Sequence, residues 1–123
     1  MSPDAVKDIS IIMCTNRRPG AVAPGLRSLS LVTFPENLDW EFILANNGNP
    51  NLTPQMELTA RKFLGDRARC ISEPKRGAAK ARNLAIRSAS GKILVFCDDD
   101  LSYDQEWLAT VYRVFAGNDT DVL

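Results

Sequence analysis

No histidine occurs anywhere in these 123 residues. Ser-His-Asp and Cys-His catalysis are therefore excluded, and a general base would have to be a carboxylate. Any metal would sit among oxygen ligands for the same reason. Cysteine is scarce: Cys14, Cys70 and Cys97 are odd in number, lack CxxC spacing, and each lies in or beside an apolar segment. They read as buried, reduced thiols rather than a disulfide framework or a zinc site. An excess of charge is missing too, since fifteen basic residues balance fifteen acidic ones. A neutral chain has no global field toward nucleic acid or a membrane, so no nucleic-acid partner is expected. No apolar run approaches the ~20 residues of a membrane span, and no charged-apolar-small leader pattern opens the chain. The expectation is a cytoplasmic protein without a membrane span, with peripheral membrane contact the one membrane role left open.

What is present is ordinary for a soluble globular domain, 45% hydrophobic and 24% charged. The length suffices for one domain with a real core but is small for a complete two-substrate enzyme. Local charge is less even than the total. Lys75, Arg76, Lys80, Arg82 and Arg87 cluster in one part of the chain, and Asp98, Asp99 and Asp100 follow an apolar run at residues 93–97. Three adjacent carboxylates repel one another unless a cation or donors compensate. In an extended backbone Asp98 and Asp100 point to one side and Asp99 to the other. Two readings stand: a carboxylate pair holding a hard divalent ion, or an acidic turn capping the next helix.

Apolar strands alternate with helical stretches. Strands are predicted at residues 9–14, 40–45, 69–72 and 92–97, and the last three residues, 121–123, resemble the start of another. Helices are predicted at 19–31, with Pro24 in a first turn, at 53 or 54 to 64, closed by Gly65, at 77–90 and at 103–115. The third carries Ala78, Ala81, Ala85 and Ala89 near one face, a ridge suited to close packing on a sheet. The fourth directs Trp107, Leu108, Val111 and Phe115 to the core, with Asp104 and Glu106 as its first-turn acids. Such alternation implies an α/β fold, Rossmann-like, with a mainly parallel sheet and helices on both faces. The carboxyl ends of its strands bring together the loops at 15–18, 46–49 and 98–100, where open α/β proteins bind ligands. Beside them Lys75, Arg76 and Gly77 open the third helix. A helix N-terminus with two cations suits a diphosphate, although charged loop residues are also commonly just solvated.

Five segments in register carry a resemblance. They are Ile11-Ile12-Met13-Cys14-Thr15-Asn16-Arg17-Arg18-Pro19, Phe42-Ile43-Leu44-Ala45-Asn46-Asn47-Gly48-Asn49, Glu73-Pro74-Lys75-Arg76-Gly77, Ala81-Arg82-Asn83 and Phe96-Cys97-Asp98-Asp99-Asp100. Their order resembles the nucleotide-sugar-binding half of the family-2 glycosyltransferases of the GT-A fold, over residues 9–108. The resemblance implies a metal-dependent transferase that moves a sugar from a nucleotide-diphosphate donor to an unidentified acceptor hydroxyl. It assigns Cys14, Thr15, Asn16 and Arg17 to the segment cradling the nucleoside. It puts Asn46, with Asn47 beside it, where the family usually has an Asp that accepts from the base. An amide oxygen keeps the acceptor and loses the charge. Arg76 and Gly77 would face the diphosphate, and Arg82 and Asn83 match a segment beside the donor. Asp98 and Asp100 match the outer positions of the Asp-x-Asp motif, with Asp99 between them. There Asp98 would meet the ribose or metal-bound water, and Asp100 would ligate Mn²⁺ or Mg²⁺.

In that family the acceptor region and the general base come after the Asp-x-Asp segment, and 23 residues follow Asp100 here. The expectation is a single donor-binding domain over residues 1–123, truncated before the acceptor half, with no base assigned. An unpaired sheet edge at its end would invite oligomerisation. Two rivals remain. One is a non-catalytic nucleotide-sugar-binding fragment. The other is a phosphatase of the haloacid dehalogenase type, because Asp98-x-Asp100-x-Ser102 after an apolar strand resembles its nucleophile motif.

Overall fold

A computed structural model of the protein describes residues 6–100 and 102–116. Four strands, β1 (Lys7–Thr15), β2 (Trp40–Asn46), β3 (Ala68–Ser72) and β4 (Gly91–Cys97), alternate with four helices. These are α1 (Pro19–Ser30), α2 (Thr53–Leu64), α3 (Ala78–Ser88) and α4 (Trp107–Ala116). The sheet has the order β3-β2-β1-β4, and every pairing is parallel. Ile9 lies opposite Trp40 and Ile93, and Thr15 lies opposite Asn46. The strand ends therefore come into line at one edge. The expected α/β architecture is present. The expected strand at 121–123 falls outside the described residues.

Strand alternation divides the apolar residues between two faces. Ile9, Ile11, Met13, Phe42, Leu44, Ile93 and Val95 form one core with Val22, Leu26 and Leu29 of α1, Met56 and Ala60 of α2, and Leu108 of α4. Ile12, Ile43 and Ala45 form a smaller one with Ala81 and Ala85 of α3. Small side chains let α3 lie close to the sheet. Three helices thus cover one face and α3 the other.

One helix boundary and the position of one proline differ from expectation. Helix α1 starts at Pro19, so Pro24 lies a turn further in, where it removes an intrahelical donor. Helix α4 starts at Trp107 and not near Tyr103. Asp104 precedes it and makes the entry turn: its Oδ2 accepts from the Glu106 N–H at 3.1 Å, and its carbonyl from Trp107 N–H at 3.0 Å. Side-chain bonding to the nearby backbone favours a turn over helix here. Among the described residues no helix is long and apolar enough to cross a membrane.

A polar cluster lies on the α3 face, at the end of the strands away from Thr15. Glu41 is 7% exposed. Its carboxylate accepts from Ser10 Oγ at 2.6 Å, from Ser90 N–H at 2.6 Å and from Arg69 Nη2 at 3.3 Å. Arg69 Nη2 also donates to the Ser88 carbonyl at 2.5 Å, and Gly91 N–H to Ser10 Oγ at 2.8 Å. Three strands and the end of α3 are joined through one carboxylate.

Candidate functional site

The carboxyl ends of β1, β2 and β4 and the start of α3 surround a cavity of about 940 Å³. Cys14, Thr15, Asn16 and Arg17 line it from the end of β1. Asn47 enters from β2, Arg76 and Gly77 from the loop before α3, and Asp99 from the turn after β4. Residues far apart in sequence meet here because parallel strands put all their carboxyl ends at one edge. Asn46, Arg82, Asn83, Asp98 and Asp100 are not part of the lining. Gly48 and Asn49, from the loop expected at 46–49, are, and so are Pro74, Ala78 and Ala81, which have no polar side chain to single them out.

Backbone contacts fix the walls. Asn47 N–H donates to the Thr15 carbonyl at 2.7 Å, and Glu73 N–H to the Asn46 carbonyl at 2.9 Å. A Cβ on Gly48 would stand 2.6 Å from the Asn16 carbonyl oxygen, so the two loops touch where only glycine fits.

The asparagines divide their work. Asn46 is 1% exposed. Its Nδ2 donates to the Asn49 carbonyl (2.9 Å) and Thr53 Oγ1 (3.0 Å), and its Oδ1 accepts from Gly48 N–H (3.0 Å). That side chain holds the turn and the start of α2, and with Asn46 1% exposed its oxygen is turned away from the cavity lining. Asn47 donates through Nδ2 to the Glu73 and Lys75 carbonyls, both at 2.8 Å. With both amide hydrogens used, Oδ1 is its remaining polar atom, and it can only accept.

The acidic turn also departs from strict alternation. Strand β4 ends at Cys97 and the chain turns at Asp99 and Asp100, so the period of two stops before the carboxylates. Thr15 Oγ1 donates to Asp99 Oδ2 at 2.5 Å and accepts from Arg17 N–H at 3.0 Å. The Arg17 guanidinium stands 3.6 Å from Asp99 Oδ2 through Nε and 3.9 Å from Asp100 Oδ2 through Nη2. Arg17 therefore bridges the carboxylates of Asp99 and Asp100. Asp98 is exposed, and its carbonyl accepts from the Tyr103 hydroxyl at 2.6 Å. No three Cys, Asp or Glu side chains gather as a metal cage among the described residues. Two hard carboxylates nevertheless fit Mg²⁺ or Mn²⁺, which fill other positions with water and phosphate oxygens.

The three cysteines are free thiols, as expected, but half-buried rather than fully buried. Burial pushes Cys97 up to about 12, with Asp98, Cys14 and Asp99 adding to it against a lowering hydrogen bond from Tyr103. Burial likewise pushes Cys70 up to about 12, with Glu57 adding to it, and raises Cys14. Burial also raises the neighbouring Tyr103 phenol. A folded thiol with a raised pKa keeps its proton after the unfolded one has lost it. Its stabilising contribution is full below the unfolded value, about 8.5, and disappears as pH climbs toward about 12. Folding stability is thus expected to fall across that window. Near pH 8, iodoacetamide should label Cys70 and Cys97 of the native protein at least ~100-fold more slowly than the urea-unfolded chain. Mass spectrometry after timed quenching reads this; equal rates would refute the assignment.

A parallel sheet with a polar cavity at its carboxyl edge, walled by an Asp turn and a cationic helix start, defines a Rossmann-like domain of the GT-A type. The chain belongs to Glycosyl transferase family 2, whose sequence model matches residues 10–123. It is 31% identical over 107 residues to the succinoglycan biosynthesis protein ExoM of Rhizobium meliloti, covering 86% of this chain and 34% of that protein. It is 24% identical over 115 residues to the glycosyltransferase AglE of Haloferax volcanii, covering 94% of this chain and 38% of AglE. Among solved structures, S. aureus TarS 1-349 in complex with UDP-GlcNAc superposes with a TM-score of 0.73 at 22% identity, over 89% of this chain and 31% of that one. The mannosyltransferase PcManGT of Pyrobaculum calidifontis, in complex with GDP-Man and Mn²⁺, gives 0.67 at 20%, over 85% and 33%. The chain spans about a third of the length of these relatives. Membership of this family removes the phosphatase reading.

Proposed function

We propose that this domain binds a nucleotide-diphosphate sugar in the cavity at the sheet edge and forms the donor half of a transferase acting on an acceptor hydroxyl. The observation that carries this is the meeting of Thr15, Asn47, Arg76, Gly77 and Asp99 around one cavity. Structural neighbours bound to UDP-GlcNAc and to GDP-Man with Mn²⁺ support it.

Asn47 takes the base-reading role that the sequence pattern suggested for Asn46. Its free oxygen accepts a ring N–H beside a carbonyl, a group that uracil and thymine (N3–H) and guanine (N1–H) offer and cytosine lacks. Arg76 and the first N–H groups of α3 face the diphosphate, where positive charge and an N-terminal dipole favour an anion. Asp99, fixed by Thr15, is placed for a ribose hydroxyl or metal-bound water. Asp100, paired with Arg17 only at 3.9 Å, would ligate Mn²⁺ or Mg²⁺, with the exposed Asp98 a further candidate ligand. The metal, when bound, supplies Lewis-acid stabilisation of charge on the departing diphosphate.

A thermal-shift screen of UDP-, GDP-, CMP- and dTDP-sugars, with and without Mn²⁺, tests this reading. A donor at a hundred times its Kd adds about 2.7 kcal/mol, a shift of several degrees for a domain this size. Stabilisation by a UDP-, dTDP- or GDP-sugar, whose base carries a ring N–H beside a carbonyl, stronger with Mn²⁺ and reduced in Asn47→Ala, is the expected result. Indifference to every donor, or a response to the CMP-sugar alone, would overturn it.

A further inference from the structure

The chain carries no net charge, yet from Pro74 to Cys97 it contains no acidic residue. Lys75, Arg76, Lys80, Arg82, Arg87 and Lys92 all fall in this stretch, and every one is exposed. The ion pairs of the described residues involve Lys7, Arg17, Arg67 and Arg69 as their cations, so none of these six is neutralised that way. Three of the six stand on α3.

Helix geometry sorts α3 into two sides. Ala81 and Ala85 are buried against the sheet. At 100° per residue the opposite side presents Lys80, Asn83, Ile86 and Arg87. Ile86 is 41% exposed, an apolar side chain among cations. The basic strip begins at the cavity rim with Lys75 and Arg76 and follows α3 to Lys92 at the far end of β4. A nucleotide-sized ligand in the cavity accounts for its beginning only. Lys80, Arg87 and Lys92 lie outside the cavity lining.

We infer that the outer face of α3 docks on an anionic phospholipid surface. An array of cations held on a rigid helix complements a negatively charged headgroup layer, where each Lys or Arg adds to adsorption. Ile86 supplies the apolar contact that interfacial helices use beside their basic residues. Single-stranded nucleic acid fits less well, because α3 has no aromatic side chain on which a base could stack. Docking along α3 sets the donor cavity beside the headgroup layer, since Ala78 and Ala81 of the same helix line it.

Co-sedimentation with phosphatidylcholine vesicles, with and without about one-third phosphatidylglycerol, tests this at low (about 0.05 M) and high (about 0.3 M) salt. Binding to the anionic vesicles at low salt, lost at high salt and on pure phosphatidylcholine, is expected. The double substitution Lys80→Glu with Arg87→Glu should lower that partition at least ~10-fold with an unchanged melting temperature, whereas Arg61→Glu on α2 should leave it intact. Three outcomes overturn the inference: no binding to either vesicle, equal loss from both variants, or stronger salt-sensitive binding to polyuridylate or polyglutamate than to the anionic vesicles.

Discussion

Glu41→Ala is expected to cost about 3–5 kcal/mol of folding free energy, the range for breaking a buried, hydrogen-bonded charge pair from one side. The carboxylate is nearly inaccessible and serves Ser10, Ser90 and Arg69 at once. Its removal leaves the Ser90 N–H without that acceptor and weakens the link between α3 and β4. Arg69, with a side chain 38% exposed, can turn to water, which places the loss toward the lower end. Glu41→Gln keeps the volume but sets an amide donor against three donors, so an intermediate loss is expected. Urea unfolding reads both, through the midpoint at constant slope. A loss below about 1 kcal/mol for Glu41→Ala would show that the cluster is solvated and not a tie across the sheet.

That cluster was invisible in the sequence for a physical reason. Ser10, Glu41 and Arg69 are spread over three strands, and nothing local says that these strands are neighbours in the order β3-β2-β1-β4. The strands themselves were legible because β-branched and apolar runs such as Ile9-Ser10-Ile11-Ile12 suit a sheet buried on both faces. Site residues followed where the topology alone decided them: Thr15, Arg17, Asn47 and Gly77 lie at carboxyl ends or helix starts, and all reach the cavity. Orientation was harder. Phe42, Leu44 and Asn46 share a face by alternation, so Asn46 continues the core face toward Thr53 of α2, and Asn47, one residue past the strand, is the one turned to the cavity. Alternation failed at Asp98, Asp99 and Asp100 because the chain bends there, and the bend depends on contacts from Thr15 and Arg17 some 80 residues earlier. Arg82 and Asn83 followed the same limit. One turn into α3, Arg82 lies over the Phe96 ring at 5.6 Å and Asn83 faces out.

Asp100→Ala should lower Mn²⁺-dependent donor affinity by about 100-fold, near the 3 kcal/mol associated with losing one preorganised charge partner. Arg17 competes with the metal for this turn. Its guanidinium stands between Asp99 and Asp100 at ion-pair distance, so the two carboxylates already share a cation that a metal would have to displace. The pair with Asp100 is long and exposed, worth about 1 kcal/mol or less, and a divalent ion beside a diphosphate outcompetes it. Arg17→Gln should therefore raise the Mn²⁺ affinity of the nucleotide-free domain several-fold, up to the ~5-fold that 1 kcal/mol allows, while weakening the donor itself. Isothermal titration of metal and donor, separately and together, resolves the two effects. Opposite signs for metal affinity in Asp100→Ala and Arg17→Gln are the signature of one shared site. Should donor binding ignore both Mn²⁺ and the loss of Asp100, the acidic turn is a helix-leading bend and the cation at its centre is Arg17 alone.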